Sequence, residues 1–265
     1  MGKLRHAIEH GEMELYYQPQ WSLTKNRVIG VEALSRWLDP QLGWIAPDRF
    51  ISLTEQTGLI KPFTQWILKT VCNEYEEWKK AGLNLSVSVN LSAKNLQEPR
   101  FPDQVAELIQ PGRFEPSLLE FEITESMIMV NPAISMQVLG RLNAMGISLV
   151  IDDFGTGYSS LSYLKKLPVQ KIKIDKSFIV DLGNKGDIVI VHSIINMGHS
   201  LGLEVIAEGV EDEFTKDLLE AFGCDVIQGY HIGHPLPSEE LIYMLNRGTA
   251  PGDLKKRPRK LSPKA

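Results

Sequence analysis

Residues 147–161 read ISLVIDDFGTGYSSL. An apolar run through Leu149, Val150 and Ile151 ends in two adjacent carboxylates, Asp152 and Asp153. Like charges at the end of a buried strand repel each other and resist desolvation, so the pair needs a neutralising partner. The Gly155-Thr156-Gly157 turn that follows lets the backbone approach a ligand closely. The same pattern recurs along the chain. Strand-like runs fall at residues 14–20, 28–37, 85–92, 118–126, 147–154, 170–175, 203–209 and 225–230. Amphipathic stretches such as TQWILKTVCNEYEEWKKAG, AISMQVLGRLNAMG and EFTKDLLEAFG separate them, with 3.6-residue periodicity and closing glycines. Strands alternating with helices in this number predict an α/β fold, a TIM-like (β/α)8 barrel. The link between the first two strands, Trp21 to Arg27, is too short for a crossover helix. The first strand is therefore predicted to pair antiparallel.

Composition bounds the rest. The 265 residues are 43% apolar and 23% charged, as in a globular protein. No apolar run reaches membrane-spanning length, and the charged start MGKLRHAIEHGEMEL is no signal peptide. Two cysteines, Cys72 and Cys224, are too few for a disulfide scaffold or a CxxC metal site. Reduced thiols imply a cytoplasmic setting, either for this chain or for the cytosolic part of a larger membrane-bound protein. The net charge of −5 is uneven. Residues 246–265 hold seven Lys and Arg against one Asp, and they read as a basic, disordered tail behind a domain at 1–245.

Late in nearly every strand stands a polar residue: Glu32, Asn90, Glu122, Asp152 with Asp153, Lys173, Glu208 and Gln228. A single glutamate after a strand is ordinarily a cap or a salt-bridge partner. The common register carries the argument, because the C-terminal rim of a barrel is where its active site lies. Carboxylates and an amide without Cys or His suit Mg²⁺ or Mn²⁺. Five converging carboxylates fit two ions better than one, with Asp152 as the bridge and Asp153 on the second ion. That is a layout for in-line displacement at phosphorus. Lys173, between Ile172 and Ile174, either orients the attacking water or forms an ion pair with Asp175 or a rim acid. Glu208 is a general base or a ligand. Glu211 sits where a helix starts and is a candidate N-cap.

Several longer motifs carry a resemblance. GVEALSRW (30–37), with YYQPQ, SVNLSA, FEITES, IDDFGTGYSSL, KIDKSFI, AEGVE and QGYHIGHPLP in order, resembles the EAL-domain cyclic-di-GMP phosphodiesterases from residue 4 to about 245. The resemblance implies hydrolysis of one phosphodiester of cyclic di-GMP to linear pGpG with Mg²⁺ or Mn²⁺. It implies that Glu32, Asn90, Glu122 and Asp152 hold one ion, that Asp152 and Asp153 hold the other, and that Glu208 or Lys173 activates water. Gln228 matches the metal-water network. Arg36 matches a phosphate-binding arginine, and Gln18 and Leu34 match substrate contacts. Glu125 matches the anchor of the DFGTGYSS loop, where the family couples dimerisation to catalysis. Glu211 is grouped with it as a coupling residue. A homodimer through SSLSYLKKL and DIVIVHSIINMG is expected, and so are fused sensory or GGDEF domains in a longer parent chain. The family often has an aromatic and a basic residue after QGY; here His231, Ile232 and His234 occupy that stretch, which bears on guanine or phosphate contacts.

The competing reading is a catalytically silent cyclic-di-GMP receptor. It would typically lack a metal ligand or the lysine, and all are present. DFG here has no kinase companion motifs and GTGYSS lacks the GK[ST] of a P-loop. The acidic body offers no basic face for duplex nucleic acid.

Overall fold

The computed structural model describes residues 2–109, 114–157, 164–180, 182–183 and 185–247. The tail from Gly248 and the residues of the DFGTGYSS loop beyond Gly157 lie outside the described residues.

The strands are β1 (Met13–Ser22), β2 (Arg27–Asp39), β3 (Gly43–Ile45), β4 (Ser86–Asn90), β5 (Leu119–Thr124), β6 (Ser148–Phe154), β7 (Lys171–Ile174), β8 (Glu204–Ala207), β9 (Val226–Gln228) and β10 (Leu236–Pro237). Eight of them form a ring in the order β1-β9-β8-β7-β6-β5-β4-β2, closed by β2 on β1. β1 runs antiparallel to both β2 and β9, and all other ring pairs are parallel. The barrel and its antiparallel first strand are as the sequence predicts. Two short strands were not anticipated: β3 extends the far end of β2, and β10 pairs with Tyr16 and Tyr17. Neither segment, GWI nor LP, lies in an apolar run of the kind that marks the other strands.

The helices cover the outside of the ring. In the 21-residue helix α3 (Ile60–Lys80; α1 is Gly2–His10 and α2 is Pro47–Thr57), Ile60, Phe63, Thr64, Ile67, Leu68, Val71, Tyr75 and Trp78 are buried. Their three- and four-residue spacing makes one apolar stripe, which docks on the barrel. α4 (Ala93–Leu96), α5 (Phe101–Leu108), α6 (Glu125–Met129), α7 (Pro132–Ala144), α8 (Lys185–Ser200), α9 (Glu213–Ala221) and α10 (Ser238–Leu245) follow. Among the described residues no helix is long and apolar enough to cross a membrane.

Inside the ring, side chains alternate with a period of two. A small apolar layer, Val150, Ile206 and Val226, fills the middle. Above it, at the C-terminal strand ends, lies the polar ring the sequence points to.

Candidate active site

Lys173 is the centre of the site. Its side chain is 1% exposed, and its Nζ lies 2.6 Å from Glu208 Oε1, 2.8 Å from Glu122 Oε2, 3.0 Å from Glu32 Oε2 and 3.7 Å from Asp152 Oδ1. β7 is flanked by β6 and β8, so the bonds to β2 and β5 cross the barrel interior. Asp175, the other partner considered for Lys173, instead accepts from Ser177 N at 3.0 Å and caps a short turn.

The charges shape each other. Burial pulls the Lys173 proton affinity down, but Glu122, Glu32, Asp152 and Glu208 outweigh it and hold the ammonium well above its ordinary range. Burial would raise Glu32, yet Lys173 and hydrogen bonds from Gln228 and Asn90 keep it below the usual carboxylate range. Burial and the neighbouring charge of Glu32 push Glu122 well above that range. Glu208 is raised to about 7, by burial first and then by Glu32 and Asp152 against the pull of Lys173.

Neutral partners orient the acids. Asn90 Nδ2 donates to Glu32 Oε1 at 2.7 Å, which leaves its carbonyl oxygen as a cation donor. Gln228 Nε2 donates to Glu32 Oε2 at 2.6 Å and to Gln18 Oε1 at 3.2 Å. Gln18 in turn donates to the carbonyl of Gly233 at 3.2 Å, tying β1 to the loop after β9. Gln20 was missed by the sequence reading. It donates to Gln228 Oε1 at 3.1 Å from one layer lower. The alternation Gln18-Pro19-Gln20 was its only sequence signal.

The adjacent aspartates have a structural explanation. In a regular strand neighbours point to opposite faces. Here the β6–β7 register shifts between Ile151 and Phe154, and Asp153 has φ 53°, in the left-handed region. This bulge lets both side chains stay at the rim. Asp153 N donates to Asp152 Oδ1 at 3.0 Å. Burial, Asp152 and Asp175 raise the Asp153 proton affinity. Gly155 follows with φ 101°, and a Cβ there would lie 2.8 Å from the Phe178 ring. Its missing side chain makes room for Phe178, an internal reason for the glycine beyond ligand approach.

Arg36 is half-buried on β2, donates to the carbonyl of Ser35 and lies 5.5 Å from the centre of the Tyr16 ring. Burial lowers its proton affinity, against Tyr16, Tyr230 and Glu32. Leu34 is half-buried opposite Tyr16. Glu125 opens α6, half-buried, but the loop it was expected to anchor is described only as far as Gly157. Glu211 is not the N-cap considered for it. Asp212 caps α9 by accepting from Thr215 N at 2.7 Å, and Glu211 is exposed one residue earlier. A short aspartate reaches the third amide of a helix, the geometry a cap requires. His231 is buried with Nε2 3.0 Å from Glu213 Oε2, whereas His234 packs on Tyr230 at 4.2 Å. The two imidazoles therefore have different partners.

Among the described residues no three His, Cys, Asp or Glu side chains form a ready cation cage. The ammonium of Lys173 stands at the focus of the acids. One feature fits a cation nonetheless: Glu122 Oε1 is buried without a hydrogen-bond partner. Such an orphan costs about 1–3 kcal/mol unless something binds it. A cavity of about 830 Å³ near Tyr75, Phe114 and Met145 lies at the opposite, N-terminal end of β4–β6 and includes none of these residues.

Comparison with known proteins adds identity. MucR of Pseudomonas aeruginosa, a bifunctional diguanylate cyclase/cyclic di-GMP phosphodiesterase, is 42% identical over 241 residues, 90% of this chain and 35% of MucR. The cyclic di-GMP phosphodiesterase NbdA of the same organism is 40% identical over 89% of this chain and 30% of its own. The chain thus spans about a third of the length of these curated relatives. A solved PaMucR phosphodiesterase in complex with c-di-GMP superposes with a TM-score of 0.86 at 41% identity, covering 91% of this chain and 98% of that one. The EAL domain family model matches residues 1–235, and the chain belongs to the EAL domain family.

Proposed function

We propose that this chain is a metal-dependent phosphodiesterase domain that opens one phosphodiester of cyclic di-GMP to give linear pGpG. The observation that carries the reading is the complete ring around Lys173. Glu32, Asn90, Glu122, Asp152, Glu208 and Gln228 all stand at the C-terminal rim with the contacts described above. The named activities of MucR and NbdA, and the ligand of the solved PaMucR structure, support the substrate.

Glu32, Asn90, Glu122 and Asp152 would hold one Mg²⁺ or Mn²⁺, and Asp152 with Asp153 a second. The unpartnered Glu122 oxygen and the all-oxygen donor set favour such hard ions. Bound ions would neutralise charge on the phosphate and make water more acidic. The chain's own groups do the rest. Arg36 clamps a phosphate oxygen. Glu208, with a proton affinity near neutrality, accepts a proton from water at a carboxylate oxygen. Lys173 keeps Glu208 oriented and offsets negative charge as it builds on phosphorus. Gln228 and Gln18 hold Glu32 and the loop after β9.

The domain acts as a homodimer, supported by the exposed Val189 and Ile190 of DIVIVHSIINMG on α8; residues 159–163 of SSLSYLKKL lie outside the described residues. It acts in the cytoplasm, beside sensory or GGDEF domains in a longer parent.

Chromatography of cyclic di-GMP incubated with the chain in Mg²⁺, Mn²⁺ or EDTA tests the reading. Metal-dependent pGpG is expected. Saturable binding without product would replace the enzyme with a receptor.

A further inference from the structure

We propose that Gln20 is a positioning residue that sets the amide of Gln228 and, through it, the carboxylate of Glu32. This rests on the reading of Glu32 as a cation ligand. Gln20 is 1% exposed and points into the barrel, in register with Gly30 on β2 and Gln228 on β9. Its Nε2 donates to Gln228 Oε1 at 3.1 Å, so Gln228 must turn its own Nε2 the other way. That nitrogen then makes the 2.6 Å bond to Glu32 Oε2 and the 3.2 Å bond to Gln18 Oε1. The Glu32 carboxylate only accepts, so Gln228 turns its donor end to it, and the Gln20 donor at the other end of that amide holds it in this direction. The space for Gln20 is built in: a Cβ on Gly30 would lie 2.9 Å from Gln20 Oε1 and 2.3 Å from Ser86 Oγ. Glu32 already spends Oε1 on Asn90 and shares Oε2 between Lys173 and Gln228. Its orientation is therefore determined by neighbours, the last of which is Gln20. A group that orients a ligand from behind tunes cation affinity without touching the ion.

Gln20→Leu is the decisive variant, because it removes the donor and cannot regain one by taking up a proton, as a buried glutamate beside Glu32 would. The Gln228 oxygen is then left without its partner, and nothing behind the amide holds its donor end on Glu32. Gln20→Met removes the same donor on an unbranched side chain, and serves if the leucine variant folds poorly. Two readouts apply to the folded proteins. Mn²⁺ binding, followed by electron paramagnetic resonance of the free ion, is expected to weaken about 10-fold or more in Gln20→Leu and in Gln20→Met. The side-chain ¹⁵N–¹H signals of Gln228, recorded in EDTA, are expected to lose the proton shifted by its short bond to Glu32. A packing role alone would lower stability and leave both readouts in place. Variants that match the parent in Mn²⁺ affinity and in the Gln228 signals overturn the inference. A parent that binds Mn²⁺ but makes no pGpG sinks the phosphodiesterase reading alone. A parent that binds no Mn²⁺ sinks the cation reading, and the Gln228 signals then decide the role of Gln20.

Discussion

Replacing Lys173 by methionine removes the cation that four acids share. Its ammonium lies 2.6–3.0 Å from three of them and 3.7 Å from the fourth. Each pair is worth about 4–6 kcal/mol gross at an effective dielectric near 20, most of it cancelled by desolvation. Deleting one partner of a buried pair typically costs about 3–5 kcal/mol, because a charge is left behind without compensation. The expected loss is of that size in EDTA at pH 8, read as the urea midpoint of unfolding. The pH dependence has a definite sign. In the parent, Glu32 is held below its ordinary range, so its contribution is present above the unfolded carboxylate value and fades as the pH falls. In Lys173→Met the same carboxyl is raised, binds a proton more tightly than in the unfolded chain, and costs stability as the pH rises. The deficit should therefore shrink between pH 8 and pH 5.5, and Mn²⁺ should restore part of it at pH 8. A variant as stable as the parent at pH 8, or a deficit independent of pH, would refute the view that Lys173 neutralises the ring.

Other expectations follow from the same geometry. Glu208 is raised to about 7, so the folded protein holds a proton that the unfolded chain releases near 4.5. In EDTA this group lowers stability as the pH rises from about 4.5 to 7, and Glu208→Gln should flatten that part of a melting-temperature profile; an unchanged slope counts against the shift. Arg36→Ala should raise KM about 10-fold or more, the loss of a charge-assisted contact, with a smaller change in kcat; unaltered KM in steady-state assays removes the phosphate clamp. Asp153→Gly should keep stability within about 1 kcal/mol, since relief at φ 53° offsets the added freedom of the unfolded chain. Under the proposed two-ion site it should nevertheless weaken binding of the second ion, which Mn²⁺ titration checks by stoichiometry.

The barrel and its polar rim were legible because both rest on local periodicity. A strand period of two places Glu32, Asn90, Glu122, Asp152, Lys173 and Gln228 at the ends of apolar runs, and the short Trp21–Arg27 link forces an antiparallel start. Residue type and order were enough to mark the rim residues as candidates, and linked motifs were enough to name the family. What the sequence did not determine depends on pairing register and on contacts across the barrel. The shift at Ile151/Phe154 turns Asp153 to the rim, and nothing within IDDF demands it. Lys173 reaches Glu32 across 141 residues, and Gln20 reaches Gln228 across 208. A glutamine next to a proline looks like any other until closure of the ring puts it behind the site. Asp212 rather than Glu211 caps α9, because one residue of helix phase decides which side chain meets the free amides. Periodicity reports which face a residue occupies; only the closed fold reports which residues on that face meet.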